Sequence, residues 1–357
     1  MTRVEFQDPR NDPAAYARRL GISVEAVELY LASDVIDLHL DSFIWTRLFG
    51  YDLRKQHGAG LFGGRFYSQA DMPRVLAAGM TGAMWAITTN PWRGRAGRAR
   101  TFAHNLARLE RLFGGVSEQF RVVRNAREYR AARSAGLHGA FIAIQGGNAV
   151  DVDFDLLVDD RVSRVTLLHM TDSSFGSTSS PLRLHSDHGL QAHGRAFVEA
   201  LNAKRIFVDL AHISRRGFAA AAEVHDKTQP LLVTHTGVNG VHPSWRNLDD
   251  DQLRTVAGTG GVVGVVFHGE YLSGRLVSGG PLSAVVDHLA HIVNIAGEDA
   301  AALGSDWDGA IIPPRELRSC TGLPRLVQAM LDRAFPPTRI QKILGANFLR
   351  ALRELRP

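Results

Sequence analysis

Cysteine is almost absent from this sequence, since Cys320 is the one cysteine among 357 residues. A single cysteine excludes an intrachain disulfide and is typical of a protein from a reducing compartment. No window approaches the 18 uninterrupted apolar residues that predict a transmembrane helix. The first residues lack the apolar stretch of a signal peptide, and the last lack the hydrophobic tail of a lipid anchor. We therefore expect a cytoplasmic protein that contacts no membrane.

A strong excess of charge is also lacking. The formal net charge is +5, with 22% charged and 45% hydrophobic residues, which is ordinary globular composition with ample material for a core. So weak a basic bias requires no nucleic-acid partner. The densest basic stretch, residues 93–100, has no aromatic residue within it and is interpreted as a solvated loop entering a helix.

The first 33 residues contain two predicted helices separated at Gly21, and Ser23 is the predicted N-cap of the second. Residues 17–27 also resemble a helix-turn-helix, but the third helix of such DNA-binding modules is missing. We therefore assign residues 1–33 to an N-terminal helical extension and residues 34–357 to the main domain.

The main domain alternates short apolar runs with helical patterns. Several runs are apolar on both faces, as parallel strands buried under helices are. The predicted strands span residues 35–40, 82–88, 139–144, 164–168, 205–210, 230–234, 261–267 and 301–305. The predicted helices span about residues 71–79, 99–113, 126–135, 189–203, 215–226, 249–258, 281–297, 323–333 and 336–353. This pattern predicts an α/β fold, a single TIM-type (β/α)₈ barrel, with an open doubly wound sheet as the alternative. Residues 60–64 are glycine-rich but lie in a long predicted loop, so no dinucleotide site is expected.

Polar residues follow six of the eight predicted strands, at the end where barrel enzymes build their active sites. His39 and Asp41 alternate with apolar neighbours and should point to the same side of their strand. The other strand ends carry Gln145, His169, Asp209 with His212, Thr234 with His235, and Asp306. A lone His-x-Asp pair could be a solvated strand end, but six such ends together indicate a metal or acid–base site.

The residue types suggest their roles. The imidazoles of His39, His212 and His235 and the carboxylate of Asp41 suit Zn²⁺, which lowers the pKa of bound water until a metal-bound hydroxide can attack a carbonyl. The polar residues outside this ligand set could act on the substrate or transfer a proton. Asp306 could serve as general base or acid, and His169 could stabilise the developing oxyanion. Arg246 could pair with a substrate carboxylate, or only with a surface acid.

The chain resembles the membrane (renal) dipeptidase family, peptidase family M19, over roughly residues 34–353. The matching motifs are Asp37-Leu-His-Leu-Asp41, Ile144-Gln-Gly-Gly147, Leu167-Leu-His169, Gly189-Leu with Gly194-Arg195, Val208-Asp-Leu-Ala-His212, Thr234-His-Thr236, Arg246-Asn-Leu248, Gly304-Ser-Asp-Trp-Asp-Gly309 and Gly345-Ala-Asn-Phe348. The resemblance implies a metal-dependent barrel that hydrolyses dipeptides, often with a D-residue at the C-terminal position, and relatives are often homodimers. It implies that His39 and Asp41 hold one zinc and His212 and His235 the second. It also implies that His169 and Arg246 bind the substrate and that Asp306 handles the proton.

One position departs from the family pattern. The glutamate that bridges both zincs in the family is replaced by Gln145. A neutral amide offers one good metal-binding oxygen and no charge, so it is a poor bridge between two ions. We expect either one tight metal or two metals that share another anion. The His212/His235 half is expected to bind more tightly, and the His39/Asp41 half to lose its metal first.

Gln145 also keeps other functions open. A related barrel hydrolase acting on another small amide or a lactone is the first alternative, and a catalytically impaired binding homologue is the second.

Two further expectations concern the surface. Residues 173–180, rich in Ser and Gly, are interpreted as a mobile loop at the mouth of the barrel, and His185, His188 and His193 as surface histidines.

Overall fold

Nine parallel strands form one sheet in the part of the chain that the computed structural model describes, which is residues 3–58, 67–88, 90, 92–151, 160–181 and 186–357. They are β1 (Ile36–Leu40), β2 (Gly82–Thr88), β3 (Phe120–Val122), β4 (His138–Gln145), β5 (Arg164–Thr166), β6 (Phe207–Asp209), β7 (Leu232–Thr236), β8 (Val262–Val265) and β9 (Ala301–Leu303). Because β2 pairs with both β1 and β4, and β1 pairs with β9, every strand except β3 belongs to a closed ring. The predicted TIM-type barrel is confirmed, and the open sheet is wrong.

The strand β3 was not predicted. It pairs with the first half of β4, where Phe120 lies opposite His138, whereas β5 pairs with the second half, where Arg164 lies opposite Ala143. Two short strands thus share one edge of β4. A segment of three residues is too short to show a periodic pattern in the sequence.

Helices surround the barrel. They are α1 (Pro13–Leu20), α2 (Val24–Ala32), α3 (Phe43–Phe49), α4 (Met72–Ala77), α5 (Arg95–Gly114), α6 (Ala126–Ser134), α7 (Ala192–Ala203), α8 (Arg215–Val224), α9 (Asp250–Gly258), α10 (Gly269–Ser273), α11 (Leu282–Ala296), α12 (Leu323–Asp332), α13 (Pro337–Gln341) and α14 (Asn347–Leu355). Most lie within a few residues of their predicted bounds, but α3 and α10 were not predicted. Within the described ranges, no helix combines the length and hydropathy needed to cross a bilayer.

The predicted helix over 336–353 is divided by a π-helical turn, Lys342–Ala346. The side chain of Asn347 donates to the carbonyl oxygens of Glu298 and Ala301, both at 2.8 Å, and holds the turn against the start of β9. A Cβ at position 345 would lie 2.5 Å from the carbonyl oxygen of Asp34, which explains Gly345. Phe348 then packs on Phe141 and Phe207, so α14 covers the barrel end opposite the predicted site.

Of the two N-terminal helices, α2 packs on α12, and α1 packs on α2. Ser23 caps α2 as predicted, accepting a hydrogen bond from the Ala26 amide at 3.1 Å. The Tyr16 hydroxyl donates to the Thr321 carbonyl at 2.8 Å, and the Ser23 amide donates to the Gln328 side chain at 2.9 Å. The extension is therefore attached to the C-terminal part of the barrel by hydrogen bonds as well as by apolar packing.

The basic stretch over residues 93–100 does enter α5, but it is not wholly solvated. The Arg98 guanidinium donates to the Asn148 carbonyl at 2.9 Å and lies 3.4 Å from the Asp151 carboxylate. It therefore connects α5 to the loop after β4. Residues 60–64, interpreted as part of a loop, and His185, interpreted as a surface histidine, lie outside the described residues.

Candidate metal centre and active site

The polar strand ends meet at one mouth of the barrel, as predicted. A cavity of about 430 Å³ opens there. Asp41, Gln145, His169, His212, Arg246 and Asp306 all line it. His39 and His235 lie beside this cavity, with their rings stacked at a centroid distance of 3.9 Å. The structure thus brings together every residue to which the sequence analysis gave a role in the site.

One half of the site joins His39 to two carboxylates. The Nε2 atom of His39 lies 3.5 Å from Asp41 Oδ2 and 3.6 Å from Asp306 Oδ1, and it has no hydrogen-bond partner although it is buried. The Asp306 amide donates to the His39 carbonyl at 3.1 Å, which ties the last strand end to the first. His39, His235 and Asp306 offer ligand atoms that all lie within 4.8 Å of one another.

The other half joins two histidines to Gln145. The Nε2 atoms of His212 and His235 are 2.8 Å apart, and the Gln145 side-chain nitrogen lies 3.3 Å from the first and 3.4 Å from the second. The amide oxygen and nitrogen of glutamine are interchangeable in such an assignment, so the carbonyl oxygen can face the histidines instead. Buried imidazole nitrogens that converge on one point, together with the unpartnered His39 Nε2, fit a divalent metal.

Two site residues have left-handed backbone conformations, with φ of 65° at His212 and 63° at Asp306. Such conformations are costly for residues other than glycine and often occur where function requires a particular side-chain direction. At Gly309, a Cβ would lie 2.3 Å from Asp306 Oδ1, so the glycine makes room for the Asp306 carboxylate.

Burial sets the charge states. It lowers the pKa of His39, His212 and His235, and it lowers the pKa of His169 to about 4, so these rings are neutral at neutral pH. The two carboxylates beside His39 are in different electrostatic environments. Burial, followed by the charge of Asp41, raises the pKa of Asp306 well above its ordinary value. Burial alone would raise the pKa of Asp41 too, but His39 beside it makes the net change a lowering. Two carboxylates whose pKa values are pushed apart suit different roles.

An ion pair that the sequence analysis missed lies beneath the site. Arg164 and Asp209 are both fully buried, with Arg164 Nη1 3.2 Å from Asp209 Oδ2. The same guanidinium donates to His39 Nδ1 at 2.8 Å. Asp209 Oδ2 accepts from the Thr234 hydroxyl at 2.7 Å, and that hydroxyl oxygen lies 2.9 Å from His235 Nδ1. The pair therefore orients one histidine from each half of the site.

Thr88, at the end of β2, connects the halves from the other side. Its hydroxyl lies 2.6 Å from Asp41 Oδ1 and 3.0 Å from Gln145 Oε1. A hydroxyl has one proton to donate, so it serves one of these oxygens at a time. Asp41 and Gln145 therefore share one positioning group.

One wall of the cavity carries hydrogen-bond donors. Arg246 donates to the His235 carbonyl at 2.5 Å and faces the cavity. His268 and Tyr271, which were not predicted, lie on the same wall with their rings 4.7 Å apart. The Ile312 amide donates to His268 Nδ1 at 3.1 Å, so the neutral ring carries its proton on Nε2. Burial lowers the pKa of His268 to about 4, which keeps the ring neutral.

The prediction of a mobile loop over residues 173–180 is wrong, because part of this segment is buried and hydrogen-bonded. The Thr178 hydroxyl lies 2.5 Å from the His169 carbonyl oxygen and 3.0 Å from that of His212, and it donates to one of them at a time. The segment therefore supports the site. His188 and His193, by contrast, are exposed as predicted.

The chain is similar to known proteins in sequence and in structure. The sequence model of the family described as membrane dipeptidase (peptidase family M19) matches residues 24–356. A solved dipeptidase AC, a metallopeptidase of family M19, is 27% identical, with a TM-score of 0.78 over 90% of this chain and 98% of that one. A solved metallopeptidase from Rhodobacter sphaeroides, liganded with a phosphinate mimic of the dipeptide L-Ala-D-Ala, is 25% identical, with a TM-score of 0.77 over the same shares.

A protein from Klebsiella pneumoniae, described as uncharacterized and encoded in the 5′ region of pqqA, is 38% identical over 169 residues. That match covers 47% of this chain and 61% of the relative. The family match extends over nearly the whole barrel, including every strand end that forms the site. The chain therefore belongs to the membrane dipeptidase family, peptidase family M19.

Proposed function

We propose that the protein is a metal-dependent hydrolase of dipeptides, including those with a C-terminal D-residue. The observation that carries this proposal is one cavity lined by Asp41, His212, Asp306 and Arg246, with His39 and His235 beside it. The relative from Rhodobacter sphaeroides that holds a mimic of L-Ala-D-Ala supports the substrate class. Family membership supports the dependence on metal.

The residue types suggest separate roles in metal binding and substrate binding. His39, Asp41, Gln145, His212 and His235 would hold zinc, which when bound supplies an activated water and polarises the carbonyl. Arg246 binds the terminal carboxylate and thereby orients the scissile amide.

The remaining steps of the hydrolysis are stabilisation of the negative charge on the carbonyl oxygen and transfer of a proton to the leaving amine. The neutral ring of His169 donates a hydrogen bond to the carbonyl oxygen as negative charge develops there. Asp306 accepts a proton from the attacking water and delivers it to the leaving amine.

The activity is tested with a panel of L,L and L,D dipeptides after metal removal and reloading with Zn²⁺, Mn²⁺ or Co²⁺. Turnover that depends on added metal is expected, together with cleavage of at least one L,D member. No turnover with any of the three ions would contradict the proposal.

We propose that the His212/His235 half binds metal more tightly than the His39/Asp41 half. The Thr234 hydroxyl donates to Asp209 and therefore accepts from His235 Nδ1, which leaves the lone pair of His235 on Nε2, free for a metal. Arg164 can only donate, so its contact with His39 Nδ1 places the proton of the neutral ring on Nε2. That proton must leave before His39 Nε2 can ligate.

The metal stoichiometry tests this difference. After chelation and titration with Zn²⁺, calorimetry and elemental analysis should show one tightly held ion per chain, rising toward two in Gln145→Glu because a carboxylate can bridge two ions. The exposed substitution Gln191→Glu adds the same charge away from the site and should leave the count at one. Two tightly bound zincs in the unmodified protein would contradict the proposal.

Arg246 is tested with substrates that differ only in the terminal carboxylate. Arg246→Met should reduce the preference for a dipeptide over its C-terminal amide by about 10- to 100-fold, since a charge-assisted hydrogen bond contributes about 1.5–3 kcal/mol. Most of the change should appear in KM. Arg275→Met, at an exposed position, is the control and should keep the original preference. An unchanged preference in Arg246→Met would assign the carboxylate to another residue.

The cytoplasmic location and the homodimer stay predictions from the sequence. The same holds for the expectation that neither nucleic acid nor a membrane is a partner.

A further inference from the structure

A second and much smaller cavity lies between the end of β2, α3 and the first half of α5. Its volume is about 10 Å³, which is room for one particle of the size of a water molecule. Arg47, Arg93, Arg98 and Asn105 are among the residues that line it. A monatomic ion fits such a space, whereas a polyatomic ion such as phosphate does not.

Positive charge is concentrated around this cavity. Three of the lining residues are arginines, and no Asp or Glu is among the lining residues that the structure describes. Asp151 lies 3.4 Å from Arg98 Nη2, but it lies at the same distance from Arg95 Nε, so two guanidinium groups share it. Asp151 therefore does not balance the charges of Arg47 and Arg93.

The charge of Arg47 interacts with two neighbouring charges. Burial lowers the pKa of Arg47, the charge of Asp41 opposes this lowering, and the charge of Arg93 adds to it. A guanidinium group in a protein stays protonated, so Arg47 and Arg93 repel each other in the folded chain. An anion between the two side chains would replace this repulsion with charge-assisted hydrogen bonds.

Two buried hydrogen-bond donors of this cavity have no partner among the described residues. They are Arg47 Nε and Asn105 Nδ2, and Asn105 is only 2% exposed. A buried donor without a partner is costly, so an acceptor that serves both donors is favoured. A monatomic anion accepts from several donors and has no protons to place. A water molecule also accepts, but it brings two protons into a space surrounded by cations.

Arg47 connects this cavity to the metal centre. Its Nη1 atom donates to the Thr88 carbonyl at 2.5 Å, and the Thr88 hydroxyl lies 2.6 Å from Asp41 Oδ1 and 3.0 Å from Gln145 Oε1. The positive charge of Arg47 also opposes the binding of a divalent ion at Asp41, and a neighbouring anion offsets part of that charge. An ion in the cavity therefore acts on the metal centre through both position and charge.

We propose that this cavity binds one monatomic anion, such as chloride, which accepts hydrogen bonds from Arg47 and Asn105. The bound anion also strengthens zinc binding at the His39/Asp41 half of the metal centre. Arg93 is exposed, so an anion can enter from the solvent, and this side chain can move to admit chloride, which is slightly larger than water. The proposal concerns binding and does not require the hydrolysis of any substrate.

Bromide locates the ion, because its anomalous X-ray scattering distinguishes it from water. A crystal soaked in about 0.2 M potassium bromide should show an anomalous peak close to Arg47 Nε and Asn105 Nδ2, at the distance of a hydrogen bond to a halide. A cavity with no such peak would overturn the proposal.

Thermal stability tests the same site in solution. The Tm of the metal-free protein should be about 2–4 °C higher in potassium chloride than in potassium methanesulfonate at the same ionic strength. Methanesulfonate is too large for the cavity, and the matched ionic strength makes general screening equal. Equal Tm values in the two salts would contradict an anion site.

Asn105→Asp places a negative charge in the cavity without changing the size of the side chain. The variant should have the same Tm in both salts and show no bromide peak, because its carboxylate takes the place of the ion. If the cavity lacked excess positive charge, the buried carboxylate would be unpaired and would strongly lower the Tm in both salts, which would overturn the proposal. Gln191→Glu adds the same charge at an exposed position and should keep the chloride response.

Zinc titration tests the link to the metal centre. In the unmodified protein and in Gln191→Glu, the weaker zinc-binding step should be several-fold tighter in chloride than in methanesulfonate. In Asn105→Asp, this step should have the same affinity in both salts. The comparison between variants removes the weak complex that zinc and chloride form in solution, which is the same for each protein. An unmodified protein whose zinc affinity is equal in the two salts would overturn the link.

Discussion

Replacing Asp306 with asparagine is expected to lower kcat by about 10²- to 10⁴-fold, the range attributed to a general acid–base group. Asp306 lies 3.6 Å from His39 Nε2 and lines the cavity. Burial and the neighbouring Asp41 raise its pKa, so it can hold and release a proton nearer to neutral pH than an ordinary aspartate. Asparagine keeps the shape of the side chain and tolerates the left-handed backbone at this position, but it cannot transfer a proton.

Metal content distinguishes this role from ligation. Zinc measured by elemental analysis should be the same in Asp306→Asn and in the unmodified protein, and its loss would mean that Asp306 is a ligand. Asp308→Asn is the matched control, because Asp308 also has a left-handed backbone and lines the cavity but is saturated by Gln69, Ala70 and Ser42. It should lower stability and change kcat by less than about tenfold.

The position of the site could be predicted because parallel strands of a barrel end at one face. His39, His169, His212, His235 and Asp306 are each separated by long stretches of chain, yet each follows an apolar run that became a strand. Strand ends in a closed barrel meet whatever their separation in sequence. The apolar pattern therefore contained enough information to place distant residues together.

Two predicted strands had no polar residue assigned to their ends. The same rule about strand ends also applies to them. Thr88 is the last residue of β2, and His268 follows the predicted strand over 261–267 directly. Both contribute to the site, one by positioning Asp41 and Gln145 and the other by lining the donor wall. Reading every strand end, whatever its chemistry, would have included them.

Other features could not be predicted because they depend on partners far away in the sequence. The hydroxyl-rich segment over residues 173–180 has the composition of a mobile loop, but the carbonyl oxygens of His169 and His212 give Thr178 partners that order it. The helix α3 is short and has no side-chain hydrogen bond at its N-cap, so it lacks a local signal. Arg164 and Asp209 appear in the sequence as two charges on separate strands, with nothing to show that they meet inside the barrel.

That buried pair leads to the second large effect. Arg164→Met is expected to lower the free energy of unfolding by about 3–5 kcal/mol, because it leaves the Asp209 carboxylate buried without its positive partner. Asp209 would keep its bonds from the Thr234 hydroxyl and amide, but these do not balance a full charge. Urea titration of the metal-free protein measures the change without a contribution from bound zinc.

A second substitution and a surface pair complete the test. Arg164→Met combined with Asp209→Leu should be more stable than Arg164→Met alone, because the double variant buries no unpaired charge. Arg254→Met removes the exposed pair with Asp251 and should cost less than about 1 kcal/mol. The double variant should also bind zinc more weakly, since Asp209 holds the Thr234 hydroxyl that orients His235. A double variant no more stable than the single one would show that Arg164 supports the barrel by packing and not by charge.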